Sequence, residues 1–313
     1  MKKSIKTFLK HPTKDSSNRS ANPAVIRAST ILFNTMQELY QHEKKIKKHQ
    51  KISHYSYGRY GSSTTIELEN ILKELEQAFH VFLTGTGFGG VALAIMSLCR
   101  PGDEILVSDN VYGPTKEISE KLLKEFNVTA KFYNPDYFQD LKEKVSKKTK
   151  MILVENPGSN TFEFQDLSKI INLAKKKKIF TFLDNTWGTP LYLKPLNLGF
   201  DMSFSSATKY FSGHSDAMGG SLAVNKKVFK KIMFFYKLSG YRMSADEAYL
   251  IIRGLRTLDT RLNQHFENTK KVINFLKKQK KIKEILYPHI PSSKNYKLWK
   301  KYYSGATGLL SIV

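Results

Sequence analysis

Ile179-Phe180-Thr181-Phe182-Leu183-Asp184 decides how this chain is read. Five apolar or β-branched residues end in a carboxylate, with Asn185-Thr186-Trp187 directly after it. The run is too short for a buried helix and lacks the alternation of a half-wet strand, so it reads as a strand covered on both faces. Towards the carboxyl terminus, Met202-Ser203-Phe204 and Ser221-Leu222-Ala223-Val224 are further runs of this kind. Towards the amino terminus come Met151-Ile152-Leu153-Val154, Ile105-Leu106-Val107 and Val81-Phe82-Leu83. Between them, residues 66–79, 91–98, 116–126 and 167–174 have helical apolar spacing. Short apolar strands divided by such helices predict an α/β fold with a mostly parallel central sheet covered by helices. In such sheets ligands bind beyond the carboxyl ends of the strands, which directs attention to Asp184 and to the residues at the ends of the other runs.

The flanks differ from this core. Residues 1 to about 52 read as an irregular, Lys-rich arm. Residues 246–258 and 262–279 read as long helices, and Leu309-Leu310-Ser311-Ile312-Val313 as one strand after a segment carrying Pro288 and Pro291. The expected division is an amino-terminal arm over 1–60, a large domain over 61–245 and an incomplete smaller α+β domain over 246–313.

Composition removes several classes of protein. With 20 Phe and 16 Tyr in 313 residues, there is too much aromatic surface for a disordered chain. A single cysteine, Cys99, excludes an internal disulfide framework and a Cys-based metal cluster, and no metal site is expected. No apolar run reaches the length of a spanning helix, and the start lacks a secretory apolar stretch, so a cytoplasmic protein is expected. The formal charge is +24, yet 43 of the 51 basic residues are Lys and they are spread along the chain. Base readers favour Arg gathered on one face, so this charge reads as solvated surface, with no specific nucleic-acid or membrane partner.

Three clusters carry chemistry. Gly85-Thr86-Gly87-Phe88-Gly89-Gly90 comes after a strand and opens a helix, where bare backbone amides can cradle an anion. It also matches G-x-G-x-x-G, with Asp109 after the next strand, so a nicotinamide dinucleotide site is a rival reading. Ser206-Ala207-Thr208-Lys209 sets two hydroxyls and an amine at the end of the 202–204 strand, suited to a phosphate and a carbonyl. Asp184 is the third. Alone, Lys209 could be a solvated lysine and Asp184 a helix cap. Together they are the parts of a pyridoxal phosphate site: an amine for the aldehyde, an acid for the ring nitrogen and a cradle for the phosphate.

These residues also carry a resemblance. Asp184-Asn185-Thr186-Trp187, Ser206-Ala207-Thr208-Lys209-Tyr210 and Gly213-His214-Ser215-Asp216-Ala217-Met218-Gly219-Gly220 resemble the Cys/Met-metabolism family of pyridoxal phosphate enzymes. Tyr55-Ser56-Tyr57-Gly58-Arg59-Tyr60-Gly61, Val111-Tyr112-Gly113-Pro114-Thr115 and Arg253-Gly254-Leu255-Arg256-Thr257-Leu258 agree with it. Within the family the likeness is nearest to the cystathionine beta-lyase branch. It implies the type I pyridoxal phosphate transferase fold, with the cofactor in the 61–245 domain.

Residue by residue, the resemblance implies that Lys209 forms the Schiff base and moves protons, and that Asp184 pairs with the pyridine nitrogen. Gly87 and Phe88 amides, with the Ser206 and Thr208 hydroxyls, would bind the phosphate. Tyr112 would stack on the ring and assist proton transfer, and Asn156 would border the cofactor. Tyr57 and Arg59 would reach the phosphate of a neighbouring subunit, making a homodimer or homotetramer with shared sites. His214 is expected to be structural.

The implied reaction is β-elimination of L-cystathionine to homocysteine, pyruvate and ammonia, in methionine biosynthesis and transsulfuration. The γ-lyases and γ-synthases of the family are the alternative, and an impaired remnant a further one. Family members continue some tens of residues past the place of Val313, with a Ser-containing loop and an arginine for the substrate α-carboxylate. The expectation here is cofactor binding with weakened turnover, because such an arginine aligns the Cα–H bond.

Overall fold

The computed structural model describes residues 4–10, 21–47 and 55–313. At its centre is a seven-stranded sheet of β1 (His80–Thr84), β2 (Glu104–Ser108), β3 (Thr129–Tyr133), β4 (Thr149–Glu155), β5 (Phe180–Asp184), β6 (Met202–Ser206) and β7 (Gly220–Val224). The strand order is β1-β7-β6-β5-β4-β2-β3. Strands β3, β2, β4, β5 and β6 pair in parallel, and β7 is antiparallel to both of its neighbours.

The absence of alternation in the strands has its cause in the layers. Val107, Leu153 and Phe182 face the helices Gly87–Leu98 and Lys226–Ser239, while Leu106, Ile152 and Leu183 face the helix Leu167–Lys177. Both faces are therefore dry, and both sets of residues are apolar. A third apolar cluster joins Val81, Leu83 and Ala223 to the helices Ser63–Glu76 and Ala245–Leu255.

Several elements differ from expectation. The edge strand β3 is not legible in the sequence, because the exposed Thr129 and Lys131 alternate with only partly buried Ala130 and Phe132 and no continuous apolar run forms. The helix Lys226–Ser239 is hidden by its lysines, although Val228, Phe229, Ile232 and Tyr236 give it a buried stripe. The expected helix over 116–126 begins earlier, at Gly113, and passes through a π-turn over Ile118–Leu122. The two long helices lie at Ala245–Leu255 and Leu258–Leu276, and the last strand is short, β9 (Ser311–Ile312), paired antiparallel with β8 (Ile285–Leu286).

The irregular arm needs correction. Among its described residues are the helices Ile5–Lys10 and Met36–Lys47. Leu9 is buried against Leu68, Leu72 and Leu255 of the same chain. Ile26 donates its N–H to Thr64 Oγ1 at 2.9 Å, and Arg27 pairs with Asp246 at 2.6 Å. This part of the arm lies along its own subunit, while residues 11–20 and 48–54 fall outside the described residues. No described helix is long and apolar enough to cross a membrane, and no group of acidic, His or Cys residues among them could hold a metal.

Candidate active site

The carboxyl ends of β4, β5 and β6 open into one cleft of about 1240 Å³. Gly87, Phe88, Tyr112, Asp184, Ser206, Thr208 and Lys209 all line it. The parallel strands account for this convergence, since each chain end delivers its next residues to the same rim.

The glycine-rich turn is built for close approach. Thr86 caps the helix Gly87–Leu98 by accepting the Gly89 N–H at 3.0 Å. Gly87 and Phe88 then present amides with no acceptor one turn earlier. A Cβ on Gly87 would sit 2.6 Å from Ser206 Oγ, so only glycine lets the turn and the Ser206 hydroxyl share one concave spot.

Asp184 ends β5, and its Oδ1 accepts the Thr186 N–H at 2.9 Å. Thr186 Oγ1 accepts the Ser206 N–H at 2.9 Å, which links the acid to the next strand end. Burial lifts the Asp184 carboxyl above its ordinary range. Its register partner on β4 is Glu155, a cleft residue that the sequence does not single out. Glu155 is raised further, by burial first and by the neighbouring Asp184 charge second. A pair of half-buried carboxyls with no cation beside them among the described residues favours a positively charged ligand atom at that place.

Lys209 is exposed at the cleft, and among the described residues its amine makes no ion pair. Its backbone is held by the Lys209 N–H to Ser206 O bond at 3.1 Å. The loop after it is closed at its base, where Thr208 Oγ1 accepts the Gly219 N–H at 3.1 Å and donates to Gly219 O at 3.3 Å. The Thr208 hydroxyl must release Gly219 O before it can donate to an anion. His214 is outside the cleft lining and donates Nδ1–H to Ser212 O at 2.7 Å.

Three expectations fare differently. Asn156 does not reach the cleft: its Oδ1 accepts the Gln165 N–H at 2.7 Å and its Nδ2 donates to Tyr303 Oη at 3.1 Å, inside the core. Side chains alternate along an extended chain, so Glu155 faces the site and Asn156 faces away. Tyr57 and Arg59 are exposed and lie outside this chain's own cleft, with the Arg59 guanidinium 4.7 Å from the Tyr60 ring centre. Asp109, the acid of the dinucleotide reading, lines a separate groove and pairs with Lys116 at 2.6 Å.

The donor set fits pyridoxal phosphate. Bare amides and a hydroxyl meet at the Gly87 cradle, an uncompensated acid waits for a ring nitrogen, and the Lys209 amine faces the same space. The sequence profile of the Cys/Met metabolism PLP-dependent enzyme family matches residues 6–313. The chain belongs to that family. Pyridoxal phosphate is the cofactor of Cys/Met-metabolism enzymes, and the nicotinamide reading is thereby set aside.

Relatives in this family carry more than one activity. The chain is 35% identical over 298 residues to an L-alanine/L-glutamate racemase of Wolbachia pipientis, covering 94% of this chain and 73% of that protein. It is 31% identical to the cystathionine beta-lyase MetC of Escherichia coli, covering 94% of this chain and 74% of the relative. Among solved structures, an O-acetylhomoserine (thiol)-lyase of Campylobacter jejuni, holding a pyridoxyl-lysine phosphate, superposes with a TM-score of 0.91 at 26% identity, over 99% of this chain and 85% of that one. A cystathionine gamma-lyase of Lactobacillus plantarum gives 0.90 at 26% identity, over 99% and 78%. The family and its fold follow from these likenesses, and lyases of small amino-acid substrates are prominent among the relatives.

Proposed function

We propose that this chain is a cytoplasmic pyridoxal-phosphate-dependent carbon–sulfur lyase that cleaves L-cystathionine by β-elimination to homocysteine, pyruvate and ammonia, in methionine biosynthesis. The observation that carries the reading is the meeting of Lys209, Asp184, Tyr112 and the Gly87–Ser206 cradle in one cleft. Relatives described as cystathionine beta-lyases, at 31–34% identity over most of the chain, supply the substrate class.

When bound, pyridoxal phosphate supplies an electron sink for the pair left at Cα. The chain's own groups do the rest. Asp184 stabilises a proton on the ring nitrogen by its negative charge. Gly87 and Phe88 amides with Ser206 Oγ hold the phosphate, and Thr208 joins them by turning its hydroxyl away from Gly219. Lys209 Nζ, facing the same cleft, takes the proton from Cα. Tyr112, half exposed at the cleft, would lie over the ring and keep water off that face.

Tyr57 and Arg59 act in a neighbouring copy in this reading, reaching its phosphate. Leu32, Met36 and Tyr40 are exposed on the arm, apolar surface that a second copy would cover in a homodimer or homotetramer.

The test is product analysis with the cofactor-loaded protein and L-cystathionine. Pyruvate with homocysteine is expected; 2-oxobutyrate would replace this reading by a γ-elimination. A second reading is favoured by the racemase relative and by the presence of two groups, Lys209 and Tyr112, able to carry a proton in the same cleft. Chiral chromatography of L-alanine and L-glutamate after incubation with the same preparation decides it. D-isomers without pyruvate would make racemisation the activity.

A further inference from the structure

Glu155 joins two neighbouring loops that line the cleft. Its Oε2 accepts the Tyr112 backbone N–H at 2.7 Å, and its Oε1 accepts the Ser159 hydroxyl at 2.6 Å. Both partners line the cleft. The loops are interlocked next to these bonds: Ser159 donates its N–H to Asn110 O at 2.8 Å, and a Cβ on Gly158 would stand only 2.0 Å from Asn110 Nδ2. Glu155 is also the register partner of Asp184, so one side chain touches the Tyr112 loop, the Ser159 loop and the neighbourhood of the ring-nitrogen acid.

Packing alone does not account for a carboxyl at this place. Setting it beside a second carboxyl, with no cation among the described residues, costs stability that an apolar or amide side chain would avoid. We propose that Glu155 is a positioning residue, whose two hydrogen bonds fix the Tyr112 phenol over the cofactor ring and hold the Ser159 lip against it. This inference rests on the cofactor reading of the cleft and not on the choice of substrate.

Two variants of the pyridoxal-phosphate-loaded protein test it. Glu155→Ala removes both acceptors. Glu155→Gln keeps an oxygen for the Tyr112 N–H and turns its amide towards Ser159 Oγ. In Glu155→Ala the visible circular-dichroism band of the bound cofactor should fall by half or more, and exchange at the Tyr112 amide should quicken by about tenfold. With a turned-over substrate, kcat should drop by about 100-fold while KM stays within about threefold, the signature of lost alignment. Glu155→Gln should restore all three. The inference is overturned if Glu155→Ala keeps the parent's band and exchange rate, or if Glu155→Gln is as impaired as Glu155→Ala. The first two readouts need no substrate, so they stand or fall separately from the assignment of cystathionine.

Discussion

Glu155 and Asp184 stand side by side on adjacent parallel strands, two carboxyls in register at the carboxyl end of the sheet. Burial raises both carboxyls above their ordinary range, and the Asp184 charge raises Glu155 further. A pyridinium placed against Asp184 would relieve the cost of that burial, which supports the proposed role of this acid in holding a proton on a ring nitrogen.

Asp184→Asn should therefore keep the cofactor covalently attached while turnover falls by about 100-fold or more, the scale of losing a charge aimed at a developing charge. Absorbance of the loaded variant together with its product rate measures both. Turnover within threefold of the parent would remove Asp184 from the role given to it.

Lys209→Ala should bind pyridoxal phosphate only reversibly. Borohydride treatment followed by intact-mass measurement should show a cofactor adduct in the parent and none in the variant. An adduct retained by Lys209→Ala would assign the linkage to another of the chain's lysines.

Gly87→Ala tests the cradle. The new methyl would press on Ser206 Oγ at 2.6 Å, a contact that forces the turn or the serine aside. Overpacking of this kind costs about 1–3 kcal/mol, which at the binding site corresponds to a cofactor affinity loss of roughly 5- to 150-fold. Equilibrium dialysis reads it, and an unchanged dissociation constant would show that the phosphate is held elsewhere.

Away from the cleft, Glu69 and Glu76 are buried carboxyls, and burial pushes both from 4.5 up to about 8. The folded state thus keeps protons that the unfolded chain releases above about pH 4.5. Their contribution to stability is complete below that pH and is lost as pH rises towards 8. Glu76 Oε2 accepts the Ser203 hydroxyl at 3.0 Å, while Oε1 is without a partner among the described residues. Glu76→Gln should match the parent's melting temperature near pH 5 and exceed it by about 3 °C or more at pH 8, following the size scaling of Tm with free energy. A gap that is the same at both values would contradict this assignment.

The sheet is legible in the sequence because its strands are dry on both faces: Leu106 and Val107, or Ile152 and Leu153, leave no ambiguity of period. Asp184, Ser206 and Lys209 are legible for a second reason, since parallel strands gather their carboxyl ends on one rim. Glu155 is not, because its value comes from register with Asp184, and register is a property of pairing. Asn156 is misplaced by a single step along the same chain, which exchanges the cleft for the core. Thr208 reads as a phosphate donor, but its tie to Gly219 arises from the return of β7, eleven residues later. The arm reads as irregular because Leu9 finds its apolar partners some 60 residues or more away.

The tie between Thr208 and Gly219 bears on how Lys209 works. A peptide clamped on both sides, by Ser206 O before it and by the Gly219 backbone beside it, acts as a stationary pivot. The four-carbon stem above that pivot can swing, so in the proposed reaction the amine would pass from one reacting atom to the next without any movement of the main chain. The motion of such a reaction would be confined to the rotamers of one side chain.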